Sequence, residues 1–171
     1  MKYIKNNCTR NDVVFTPPSL AGRIIAHFKP NGFILDPSAG NNAFYNHFKK
    51  YSQNYDWCEI SKGKDFYLYN RKVDYIITNL PWSQFRKFLN HAMSISTNVI
   101  FLSPVNHFFT KARLRDMKEK GFEFKEILYV DSPKNFPSTG FALGAVHIAK
   151  TSMNITTNQG CKFNYLETSK K

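Results

Sequence analysis

Gly32-Phe33-Ile34-Leu35-Asp36 opens as a short apolar run, Pro37-Ser38-Ala39-Gly40-Asn41-Asn42 breaks it, and Ala43-Phe44-Tyr45-Asn46-His47-Phe48 resumes at helical spacing. A run of large apolar residues without polar alternation reads as a strand buried on both faces. Gly40 lets the backbone approach a ligand closely, and the first amides of the helix that follows face whatever sits above the strand end. Strand, small-residue turn and helix in this order predict an α/β domain with a nucleotide-type site over the first strand.

Working outward, Val73-Asp74-Tyr75-Ile76-Ile77-Thr78 is a second buried strand that ends in Asn79-Leu80-Pro81-Trp82. An amide oxygen and a neighbouring carbonyl can accept both hydrogens of an exocyclic amine, while an indole can stack on a flat heterocycle. Read alone, the tetrapeptide is a turn after a strand. Between the two strands, Asn54-Tyr55-Asp56-Trp57-Cys58-Glu59-Ile60 carries near its end an acid 23 positions beyond Asp36, about the offset at which doubly wound folds place a carboxylate on ribose hydroxyls. Glu59 is therefore the expected ribose ligand. Upstream, Leu20, Ile24, Ile25 and Phe28 recur at helical spacing, with Thr16 the expected N-cap and Pro17 and Pro18 in the first turn.

The remaining pattern alternates helices and strands. A helix over 83–93 presents Phe85, Phe88, Leu89 and Ala92 to the core, and 98–104 is a buried strand. A helix over 106–120, a strand over 122–130, a polar loop over 131–140 and a strand near 142–149 follow, with a short edge element within 161–166. This predicts three layers, with ligands beyond the carboxyl ends of the parallel strands, where Asp36, Glu59 and Asn79 all fall.

A chain of 171 residues with 42% hydrophobic content suits one domain over 1–171, with an N-terminal arm over 1–12 and a polar tail over 151–171. No apolar stretch approaches a membrane span, and the first residues lack the apolar segment of a signal peptide, so a soluble cytoplasmic protein is expected. Cys8, Cys58 and Cys161 have neither zinc-ligand spacing nor a disulfide pattern, and no metal is expected. The net charge of +12, from 24 basic and 12 acidic residues, favours a polyanionic partner, although an AT-rich genome produces the same lysine-rich bias. Lys111, Arg113, Arg115 and Lys118 form a basic group that reads as a solvated helix face.

The blocks also occur in one order that resembles the S-adenosylmethionine-dependent N6-adenine DNA methyltransferases of Asn-Pro-Pro-aromatic type, in a small, phage-like form without a separate target-recognition domain. Phe15-Thr16-Pro17 resembles the Phe/Tyr-Thr-Pro motif that packs on the methionine end of the cofactor. Asp36-Pro37-Ser38-Ala39-Gly40 resembles the Asp-Pro-x-x-Gly-x-Gly cofactor motif, with Asn42 at the last glycine; asparagine tolerates left-handed backbone better than other non-glycine residues. Asp65-Phe66 matches the Asp-Phe pair placed against the cofactor's adenine. Asn79-Leu80-Pro81-Trp82 resembles (Asp/Asn/Ser)-Pro-Pro-(Tyr/Phe/Trp), with Leu80 at the first proline, where the family uses the backbone carbonyl.

The resemblance implies a Rossmann-like class I methyltransferase fold, three-layer αβα, with a mixed, mostly parallel seven-strand sheet whose last strand is antiparallel. It implies S-adenosyl-L-methionine as cofactor, catalysis by Asn79, Leu80, Pro81 and Trp82, and DNA ahead of RNA as partner in a bacterial or phage-infected cell. Specificity would be relaxed, or supplied by a protein partner or homodimer. In the 131–140 loop, Phe136 is expected to sandwich an extruded base opposite Trp82 and Lys134 to hold a flanking phosphate; the plain reading is a Pro/Gly connection with an anchoring aromatic. Two other classes stay open: the same chemistry on RNA adenine N6 or a protein glutamine amide N5, and a non-catalytic nucleic-acid-binding or subunit relative.

Overall fold

A computed structural model describes residues 14–151 and 160–166. The expected arm over 1–12 and most of the polar tail lie outside the described residues. Seven strands form one sheet in the order β2-β1-β3-β4-β6-β5-β7. They are β1 (Phe33–Asp36), β2 (Asn54–Trp57), β3 (Val73–Thr78), β4 (Ser96–Pro104), β5 (Phe122–Val130), β6 (Leu143–Lys150) and β7 (Lys162–Tyr165). The pairs β1/β2, β1/β3, β3/β4 and β5/β7 are parallel, and β6 runs antiparallel between β4 and β5. The antiparallel strand is thus the last but one; the 161–166 element adds a parallel edge beyond β5.

Among the described residues four α-helices cover the sheet: α1 (Pro18–Phe28), α2 (Tyr45–Phe48), α3 (Phe85–Ile95) and α4 (Lys111–Glu119). Leu20, Ile24 and Ile25 of α1 and Phe48 of α2 pack with Ile34, Ile77 and Ile100 on one face. Phe85, Phe88 and Leu89 of α3 and Met117 of α4 pack with Leu35, Ile76 and Phe101 on the other. Alternation along each strand sends neighbours such as Ile76 and Ile77 to opposite layers, so both faces need apolar residues and the strands read as unbroken apolar runs. Each such side chain contributes about 1.5–3 kcal/mol when fully buried. No helix among the described residues is long and apolar enough to cross a membrane.

Two expectations are corrected. Thr16 is not the cap of α1: the N-cap is Pro17, in extended conformation with ψ 132°, and the helix begins at Pro18. A proline disfavours α geometry in the residue before it, so Pro18 forces Pro17 out of the helix and moves the start one residue beyond Thr16's reach. The expected helix over 106–120 is two pieces, a 3₁₀ turn at Val105–Phe108 and then α4, whose N-cap Thr110 accepts from the Arg113 amide.

Candidate active site

The ends of β1, β2 and β3 are tied before any ligand is considered. Thr78 Oγ1 donates to Asp36 Oδ1 at 2.8 Å, joining β3 to β1, and the Ser38 amide reaches the same oxygen at 3.3 Å. The Cys58 amide donates to the Asp36 carbonyl at 2.8 Å and the Ala39 amide to the Cys58 carbonyl at 2.9 Å, which seats the turn on β2. Asp36 is 1% exposed, and its Oδ2 has no hydrogen-bond partner. Burial pushes its pKa up to about 7, against the lowering effect of Thr78 and Ser38. Asp36 and Pro37 are buried beneath the turn and do not line the cavity above it.

The turn itself runs through left-handed geometry at Gly40, φ 51°, and Asn42, φ 66°, so asparagine does occupy the position in the conformation expected of it. A side chain at Gly40 would come within 3.2 Å of the Phe15 ring, which lies over the glycine and is half exposed. Glu59 closes the turn from the side. Its Oε2 accepts from the Gly40 amide at 2.8 Å, and its Oε1 accepts from the Ser61 hydroxyl at 2.8 Å and the Ser61 amide at 3.1 Å. Burial raises its pKa, but the Ser61 and Gly40 bonds outweigh it and hold the carboxylate below its ordinary range.

Above this frame lies a cavity of about 310 Å³ lined by Phe15, Thr16, Ser38, Ala39, Gly40, Glu59, Asn79 and Pro81, together with Val14, Asn41, Ala43, Phe44, Ile60 and Ser61. Eight of the expected site residues, drawn from four separate blocks of sequence, therefore share one space. Asn79 donates Nδ2 to the Val14 carbonyl at 2.9 Å, and its Oδ1 is buried without a partner. An unpaired buried acceptor costs about 1–3 kcal/mol, and Asn79 is one of the residues that line the cavity. The 14–16 segment is held from a second side, because Asn135 Nδ2 donates to the Phe15 carbonyl at 2.8 Å.

Other expected residues lie elsewhere. Phe66 is 3% exposed and packs on Phe88 and His91 beneath α3, with ring centroids 5.0 and 4.6 Å apart, so it is a core residue and not a cover for adenine. Asp65 caps the 3₁₀ turn Phe66–Leu68 through the Tyr67 amide. The apolar side chain that reaches the cavity beside Glu59 is Ile60, 53% exposed. The sequence signal for it is its position directly after the strand-end acid Glu59. Phe136 does not stand a base's width from Trp82: the two rings pack directly, centroids 6.0 Å apart at 57°, and Phe136 is 7% exposed. A base between parallel rings needs about 7 Å, so the sandwich is closed here. Trp82 also packs on the His107 ring, centroids 6.0 Å apart at 90°, and Trp82 Nε1 is buried without a partner. Leu80 is buried at 3% exposure. Pro17 and Lys134 line a separate groove with Arg23 and Asp131. Among the described residues, no group of three or more His, Cys, Asp or Glu could hold a metal.

The sheet, its two helical layers and a cavity at the carboxyl edge define the fold of the Rossmann-like class I methyltransferases. The chain is similar to a proposed class I S-adenosylmethionine-dependent methyltransferase from Listeria monocytogenes, with TM-score 0.65 and 17% identity over 95% of this chain and 68% of that one. It is similar to a proposed RNA methyltransferase from Pyrococcus horikoshii, with TM-score 0.62 and 19% identity over 91% and 93% of the two chains. The M protein of the type I restriction enzyme EcoKI gives TM-score 0.63 and 14% identity over 85% of this chain and 45% of that one. At these identities the likeness is one of fold. No protein-family model and no curated protein matches the sequence.

Proposed function

We propose that the protein transfers a methyl group from S-adenosylmethionine to the exocyclic N6 of adenine in nucleic acid, with DNA as substrate. The observation that carries this reading is Asn79, which lines the cavity and whose amide oxygen is buried without a partner. The residues present fit the cofactor: Glu59 has lone-pair capacity left for ribose hydroxyls, Ile60 offers an apolar surface to a purine, and Phe15 and Thr16 line the same cavity. When bound, S-adenosylmethionine supplies an electrophilic methyl carbon on a sulfonium sulfur.

The chain's own residues do the rest. Val14 fixes which way the Asn79 amide points, so Oδ1 accepts one hydrogen of the amine and the Leu80 carbonyl accepts the other. Two acceptors pull the NH₂ group out of conjugation and stabilise the positive charge that grows on nitrogen, so catalysis is positioning plus fixed dipoles. The surplus proton passes to water. A base reaches this position only after leaving its stack, at a cost of a few kcal/mol that is least for single-stranded substrate. Trp82 offsets part of that cost by stacking once it separates from Phe136.

RNA is the second reading, supported by the likeness to the Pyrococcus protein and equally by the basic charge. Target choice would come from a partner chain or a second copy. Incubation with radiolabelled S-adenosylmethionine and DNA, RNA or ribosomal protein, followed by mass spectrometry of the nucleosides, tests the proposal. N6-methyladenine in DNA is the expected product. Label in RNA alone moves the reading to RNA, and calorimetric cofactor binding with no label in any acceptor makes the protein a non-catalytic relative.

A further inference from the structure

Directly after the tetrapeptide, Ser83, Gln84, Arg86, Lys87 and Asn90 from the start of α3 and Arg113 from α4 line an open groove of about 530 Å³. It lies at the same carboxyl edge of the sheet as the cavity, since α3 follows β3 and α4 follows β4. Asp116 beside it is already neutralised: Arg86 Nε and Nη2 donate to its two oxygens at 2.6 and 2.9 Å, and Asn90 adds a third bond at 2.8 Å.

Two cations are then left over. Arg113 lies with its guanidinium 4.7 Å from the centre of the Phe85 ring and donates to the His107 carbonyl. Lys87 stands 3.8 Å above the Tyr67 ring. Among the described residues neither makes a salt bridge. Arg113 is partly buried, and burial together with the neighbouring Arg86 charge lowers its pKa. Lys87 and Arg113 also stand in the first turns of α3 and α4, which hold no acidic residue, so the helix dipoles oppose them. Arg113, held against both burial and dipole, and the exposed Lys87, held against the dipole, are tolerated when an anion completes the site. The aromatic supports fix them in place, as a specific contact requires and a solvated helix face does not.

We infer that this groove binds the phosphodiester backbone of the nucleic acid beside the target base, through Lys87 and Arg113. The inference rests on the nucleic-acid reading of the cavity and adds to it which side of Trp82 the strand leaves from. Ser83 and Gln84, one and two residues beyond Trp82, put a phosphate here within a nucleotide of the stacked base.

Fluorescence anisotropy of the full chain with labelled single-stranded DNA and RNA oligonucleotides, without cofactor and over a salt series, tests it. Lys87→Gln and Arg113→Gln should each weaken binding by about threefold to tenfold and lower the slope of log K against log salt by about one. Arg113→Lys should recover part of the loss, and Lys118→Gln, on α4 outside the groove, should change neither quantity. Folded variants that keep the wild-type affinity and slope on both nucleic acids overturn the inference, as does a Lys118→Gln loss as large as the others. Lys87 makes only a ring contact, so Lys87→Gln carries the test if Arg113→Gln does not fold. If the wild type binds through these cations but transfers no methyl group, the groove stands and the enzymatic reading falls. Methyl transfer with unaffected variants gives the reverse.

Discussion

Asn79 Nδ2 donates to the Val14 carbonyl at 2.9 Å, and that bond leaves Oδ1 as the side chain's free end. A flipped amide would set oxygen against oxygen, so the bonding fixes the orientation. Two segments far apart in sequence thus make one acceptor. Asn79→Ala is expected to lower turnover by at least about a hundredfold, the scale seen when one aimed polar group is removed from an active site. Cofactor affinity by calorimetry should stay near wild type. Asn79→Asp should fare no better, because a carboxylate cannot donate to Val14 and would repel the carbonyl it faces.

Glu59 is both a cavity wall and the clamp on the Gly40 amide, so Glu59→Ala should act twice. Losing hydrogen bonds to a charged acceptor costs about 1.5–3 kcal/mol, which predicts a lower melting temperature as well as weaker S-adenosylmethionine binding. A variant with unchanged cofactor affinity but a lowered melting temperature would reduce Glu59 to the clamp alone.

Gly40 and Phe15 should be coupled. Gly40→Ala puts a methyl group within 3.2 Å of the Phe15 ring and a side chain at φ 51°. Phe15→Ala removes only the first of these. The double variant should therefore recover part, not all, of the stability and cofactor affinity lost in Gly40→Ala, a coupling that a double-mutant cycle measures.

Much of the fold was legible because its strands are uninterrupted apolar runs ending in turn residues. Phe122–Val130 begins and ends as the pattern predicts, and Asp36, Glu59 and Asn79 fall at strand ends as expected. Periodicity does not say which layer an aromatic belongs to. Phe66 and Phe136 each follow a polar residue, Asp65 and Asn135, yet both are buried, because each fills a hole that only the packed layers create. The cap of α1 was misplaced for a local reason, the second of two prolines. The Val14 to Asn79 bond spans 65 residues and leaves no trace in either segment alone.

Asp36 predicts a pH dependence of stability. Its ordinary pKa is 3.8 and in the fold it rises to about 7, so the folded chain binds the proton more tightly than the unfolded one. The stability linked to that proton is fully present below 3.8 and is lost as pH rises through 7. Asp36→Asn keeps an acceptor for Thr78 and carries no charge to bury. It should melt higher than wild type above neutrality, by on the order of a few kcal/mol, and the advantage should vanish in acid. Equal melting curves at high pH would show that the buried carboxylate is relieved in some other way.

Phe136 separates the packed arrangement from an open one. Its ring sits 6.0 Å from Trp82 and among the residues of the α1 layer, so Phe136→Ala removes a buried aromatic and should cost about 3–5 kcal/mol of stability. The same substitution frees one face of Trp82. If a target base must displace Phe136 to stack there, the variant should bind an oligonucleotide carrying an unpaired adenine no more weakly than wild type, despite its lower melting temperature. Were Phe136 instead a standing wall of a base sandwich, base capture would fall while stability changed little. Thermal melts and anisotropy on one preparation distinguish the two. Trp82→Ala supplies the control, since losing the stacking platform should weaken binding by about 1–3 kcal/mol in either case.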